Sequence, residues 1–146
     1  MKKTSFRKIL SANDVGATGG HQGGILIPKS ERELLEFLPQ LDPAIKNPDA
    51  WIECLDEVDI VRKLRFIYYN NRLHDDGGTR NEYRITYLTK YFREVDAREG
   101  DTFEISKVLN EQHYTIRIIH TSKTRDETQE EHVSRIKITY NWHKAY

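Results

Sequence analysis

Residues 60–70 read IVRKLRFIYYN, eleven positions with no glycine or proline and a dense set of β-branched and aromatic side chains. That composition suits a pleated, half-buried strand. Tyr68 and Tyr69 fall on opposite faces of such a strand, so at least one of them packs inward. The same character returns in WIECLDEV (51–58), EYRITYL (82–88), DTFEISKVL (101–109), YTIRIIH (114–120) and SRIKITYNW (134–142). Phe6–Leu10 and Ile25–Pro28 add two shorter strands, the second ended by its proline. Gly77-Gly78 and Glu99-Gly100-Asp101 mark turns between strands. Ser30-Glu31-Arg32-Glu33 reads as a capping box opening a short helix through LLEFL that ends near Pro39. LDPAIKNPDA (41–50) is loop, and the charged TRDETQEEHV (124–133) suits a surface helix. The expectation is a mostly β (α+β) fold: a single domain over residues 1–146, a pseudobarrel of seven to eight strands with one or two short helices.

Composition narrows the function classes. At 146 residues the chain has room for one core. It has no apolar run near the ~20 residues that span a bilayer, and MKKTSFRKIL lacks the apolar stretch of a secretory signal. No membrane partner and a cytoplasmic location are expected. The single cysteine, Cys54, excludes an internal disulfide and a cysteine-rich zinc site. Net charge is zero, but residues 1–29 hold five basic groups against one acidic, and residues 30–60 two against nine. Residues 61–98 hold nine against five, and residues 99–146 seven against eight. Such blocks either interleave and cancel or make a dipolar molecule with one face ready for DNA.

Two polar segments stand apart from the strand pattern. SANDVGATGGHQGGILIPK (11–29) places five glycines among Asn13, Asp14, Thr18, His21 and Gln22 before the apolar Ile25-Leu26-Ile27. It has little to bury and is costly to order, which is the mark of a binding surface. DDGGTRNEYRITY (75–87) sets Arg80, Asn81, Glu82 and Arg84 at the start of a strand. Arginine pairs with guanine O6 and N7, asparagine with adenine N6 and N7, and glutamate accepts from cytosine N4. A solvated hairpin whose arginines pair with Asp75 or Asp76 fits the same residues.

The run S-A-N-D-x-G-x-T-G-G-H-Q-x-G before I-P, with the later I-Y-Y-N and T-R-N-E-x-R-I-T, resembles the effector-binding N-terminal domain of EcoRII-type restriction endonucleases. It is also similar to the DNA-binding domains of BfiI-type enzymes. EGDTFEISK and YTIRI resemble plant transcription-factor domains of the same pseudobarrel fold. The resemblance implies a prokaryotic, sequence-specific domain that binds double-stranded DNA, with the catalytic nuclease domain elsewhere in the parent protein. It further implies an N-arm (residues 8–22) and a C-arm (77–84) that enter the major groove, with a CCWGG-like site the first to test. Lys8, Asn13, Asp14 and His21 would read bases from the N-arm, and Arg80, Asn81, Glu82 and Arg84 from the C-arm. Thr18, Gly19, Gly20, Gln22, Thr79, Tyr83, Arg72 and Lys90 would meet the DNA backbone, with Lys2, Lys3, Arg7, Lys29, Lys63, Arg65 and Arg93 as further phosphate candidates. Family C-arms tend to carry lysine at the positions of Gly78 and Tyr83, where this chain has neither cation.

No catalytic residue, cofactor or metal is expected, and the domain is expected to act as a monomer. A metal-dependent nuclease built on Asp49, Glu104 and Lys107 is the main alternative, and a module for protein or small-molecule partners the next. The histidines show no paired ligand spacing. Ser11, Asp14 and His21 lack the strained elbow of a nucleophilic serine. Trp51 and Trp142 read as packing residues.

Overall fold

A computed structural model of the chain describes residues 2–16, 24–121 and 141–145. The strand-rich stretches become β1 (Lys3–Ile9), β2 (Ile25–Ile27), β3 (Asp49–Leu55), β4 (Val61–Tyr69), β5 (Glu82–Thr86), β6 (Thr102–Val108), β7 (Tyr114–Ile119) and β8 (Trp142–Lys144). Among the described residues three short helices lie between them: α1 (Arg32–Phe37), α2 (Asn71–His74) and α3 (Thr89–Glu94). The strands form one sheet in the order β2-β5-β4-β3-β7-β6-β1-β8. Every neighbouring pair is antiparallel except β3 and β7, which run parallel and meet only at Cys54–Tyr114 and Leu55–Thr115. The two ends of the sheet curl toward each other. Trp142 on β8 donates its indole N–H to the Leu26 carbonyl of β2 at 3.0 Å, so the barrel is nearly closed.

Alternation along the strands builds the core. Ile52 and Cys54 on β3, Leu64 and Phe66 on β4, Ile85 on β5, Phe103 and Ile105 on β6 and Ile116 on β7 all point inward. Burying side chains of this size contributes about 1.5–3 kcal/mol each. Tyr68 is buried and Tyr69 half-buried, as their alternation requires. Trp142 packs in the core, but Trp51 is 53% exposed. It alternates with Ile52, so the strand turns it outward, where it meets the edge of Tyr87.

The helices depart from expectation in two ways. Ser30 and Glu33 form no capping box: α1 starts at Arg32 with Glu31 at its cap, and no side chain caps it. The Ser30 carbonyl takes the Arg32 N–H at 2.9 Å instead. Neither α2 nor α3 is expected from the sequence, and α3 buries Tyr91 and Phe92 against the core. The helix expected at 124–133 and most of the strand expected at 134–142 lie outside the described residues.

Candidate nucleic-acid interface

Strand direction sets the two polar segments at opposite ends of the barrel. The N-arm leaves β1 at Leu10 and returns to β2 at Gly24, while the C-arm joins the far end of β4 to the start of β5. β2 runs against β5, with Ile25 opposite Ile85 and Ile27 opposite Tyr83. The outer face of β2 and β5 is therefore the floor between the arms.

The N-arm has a rigid root. Leu10 exchanges backbone bonds with its neighbours across the chain, donating to Asp101 at 2.8 Å and accepting from Gly100 at 2.9 Å. Asp14 and Ser11 bind each other's backbone N–H groups at 3.0 and 3.2 Å, folding residues 11–16 into a turn. Lys8 and Asp14 are 7% and 6% exposed and form an ion pair, so both charges serve to hold this root. Asn13 beside them is exposed. Thr18, Gly19, Gly20, His21 and Gln22 lie outside the described residues. At the return, Gly24 has φ +85°, and a Cβ there would sit 2.2 Å from the Ile85 carbonyl oxygen. Only glycine allows the arm to lie this close to β5.

The C-arm is tied down by α2. The Arg80 N–H donates to Asn71 Oδ1 at 2.8 Å, and the Arg72 N–H donates to the Arg80 carbonyl at 3.0 Å. Asn70, fully buried, accepts the Asn47 N–H at 2.7 Å and donates to the Pro43 and Ile45 carbonyls, which ties the 41–50 loop to the arm. A Cβ on Gly78 would lie 2.3 Å from the Asn71 carbonyl oxygen. The missing side chain is thus a packing requirement of this arm.

Alternation divides the expected readers. Arg80, Glu82 and Arg84 share the outer face with Tyr69, which pairs with Glu82 across β4 and β5. The Arg80 guanidinium lies 3.7 Å from the centre of the Tyr69 ring. Both arginines donate Nε–H to Glu82, Arg80 at 3.3 Å and Arg84 in a closer ion pair. Arg84 Nη1 also donates to the Gly24 carbonyl at 3.0 Å, linking the C-arm strand to the end of the N-arm. Burial alone would raise the Glu82 carboxyl, but the hydrogen bonds and charges of Arg84 and then Arg80 hold it below its ordinary value. Asn81 lies on the opposite side, where the Tyr68 hydroxyl donates to its Oδ1. Tyr83 also faces inward, stacked on Tyr68 at 4.2 Å, and burial pushes its phenol pKa up. Thr79 and Arg72 are exposed on the C-arm, and Lys90 is exposed on α3 at the N-arm end of the barrel.

The family described as "Restriction endonuclease EcoRII, N-terminal" matches residues 2–138. The chain belongs to the EcoRII N-terminal domain family. It is 42% identical over 89 residues to the type II restriction enzyme EcoRII of Escherichia coli, covering 56% of this chain and 20% of that protein. This chain therefore spans about a fifth of the length of the restriction enzyme it matches. Tyr69 and Asn71, which the sequence reading does not place at the site, both contact Arg80. Tyr69 had a signal in its position opposite Glu82, which becomes visible only once the β4–β5 register is known.

The residues of the nuclease alternative are engaged separately. Asp49 pairs with Arg65 at 2.6 Å, and Glu104 is held between Arg7 and Arg117 at 2.6 and 2.8 Å. Lys107 lies over the Tyr114 ring. Among the described residues no group of three or more His, Cys, Asp or Glu could hold a metal ion.

Proposed function

We propose that this chain is the sequence-specific recognition domain of a restriction endonuclease, gripping duplex DNA in the major groove between its two arms, with cleavage carried out by a catalytic domain of the parent protein. The observation that supports this reading is the outer-face cluster of Arg80, Glu82 and Arg84 on the C-arm, with Arg84 Nη1 donating to the Gly24 carbonyl at the end of the N-arm. Arginine ends offer paired donors that match guanine O6 and N7. Phosphate contacts from exposed Arg72 and the basic N-terminal residues would supply the salt-dependent part of the affinity.

Selection of bound duplexes from a random pool tests the proposal, with a CCWGG duplex as the first defined probe. One short consensus is expected, bound in the nanomolar range at moderate salt. A selected pool no different from the input would sink sequence-specific recognition. Incubating the purified chain with Mg²⁺ and plasmid tests the division of labour, since cleavage would return the chain to the nuclease reading.

A further inference from the structure

We infer that Glu82 and Tyr69 are positioning residues that aim Arg80 and Arg84, so that the C-arm reads guanines with two guanidinium ends instead of four independent side chains. This rests on the arms reading duplex DNA, and it changes the chemistry assigned to Glu82. A glutamate that reads cytosine keeps its carboxylate oxygens for the exocyclic amine. Here Oε1 takes Arg80 Nε–H and Oε2 takes Arg84 Nε–H, one arginine on each oxygen. With Nε bound to Glu82, each guanidinium is held along one edge, and Arg84 is held again at Nη1 by the Gly24 carbonyl. An arginine has five N–H donors in a fixed fork, so holding Nε and the ring plane sets the direction of the rest.

Tyr69 fixes the plane. Its ring lies 3.7 Å from the Arg80 guanidinium carbon, a stacking distance, and its place is set by the β4–β5 register opposite Glu82. Arg80 is thereby held on two sides, by a ring on its face and a carboxylate on its edge. Arg84 is held by Glu82 and by the Gly24 carbonyl at Nη1. Asn81 takes no part in this array, because its amide oxygen is engaged by Tyr68 on the other side of the strand. The ligand this geometry suits is a duplex that presents guanine O6 and N7 pairs in the major groove.

The test compares base preferences of the wild type with those of Arg80→Ala, Arg84→Ala, Glu82→Ala, Glu82→Gln, Tyr69→Ala and Tyr69→Phe, each measured by selection from a random duplex pool. The arginine variants locate the base pairs that each guanidinium reads. Glu82→Ala is expected to relax preference at those same base pairs by about tenfold and at no third one. Combined with Arg80→Ala it should lose far less at the Arg80 base pair than the two single effects predict. Tyr69→Ala should relax only the Arg80 base pair, with Tyr69→Phe restoring it. Glu82→Gln keeps an acceptor but loses the charge and should fall between. Loss of a cytosine preference at a base pair that neither arginine variant touches would overturn the proposal and make Glu82 a reader. Equal weakening of all sequences by Glu82→Ala, with preferences intact, would also overturn it and leave a merely structural role. If the wild type selects no consensus, the recognition reading itself fails, an outcome distinct from both.

Discussion

On the proposed reading Arg80 is where recognition and packing meet, since Tyr69 covers one face of its guanidinium and Glu82 holds its Nε. Truncating it should cost one base contact and little of the fold, because the side chain is partly exposed. Arg80→Ala is therefore expected to weaken the preferred duplex by about 1–3 kcal/mol and leave random duplexes nearly unchanged, as read by competition titration. Arg72→Ala belongs to the other class. It should weaken all sequences alike and reduce the salt slope by about one. Gly78 carries a different prediction. Lysine there would drive a Cβ into the Asn71 carbonyl, so Gly78→Lys should destabilise the domain by about 1–3 kcal/mol in urea and weaken binding, despite its added charge.

The elements differ in how plainly their sequences announce them. The strands are legible because β-branched and aromatic residues alternate with polar ones, and the barrel follows from how many there are. α3 is legible only after the fact: Leu88, Tyr91, Phe92 and Val95 have the three- and four-residue spacing of a buried helical stripe. Its tyrosine and phenylalanine look like strand residues when read singly. The capping box failed because α1 starts at Arg32, which puts Glu31 at the cap and leaves Ser30 one position too early. Barrel closure was not legible, since the bond from Trp142 to Leu26 joins residues far apart in the chain. Trp142→Phe keeps an aromatic ring and removes that bond. It should cost about 0.5–1.5 kcal/mol in thermal or urea unfolding and loosen the β2 edge, which faster amide exchange at Leu26–Ile27 would register.

At the scale of the whole molecule, charges decide how the fold meets acid. Asp56, Glu82, Asp101 and Glu104 all sit below ordinary carboxyl values: burial would raise each, and arginine partners or backbone N–H groups outweigh it. A carboxyl depressed in the folded state adds stability above its unfolded value and loses it as pH falls through the folded value. The unfolded values are near 3.8 for Asp and 4.5 for Glu, so the urea midpoint should be flat with respect to these groups from neutral pH to about 5 and drop below about 4. The family and the candidate arms were legible in the glycine-rich and T-R-N-E-x-R segments. The partition of roles within the C-arm was not, because it depends on which side of β5 each residue occupies.

Recognition of one duplex over all others is the claim on which the rest depends. The direct measurement is the ratio of Kd for a scrambled duplex to Kd for the selected duplex, taken by titration at a single fixed salt concentration. A ratio of about 10³ or more is the predicted result, and a ratio near one would contradict it.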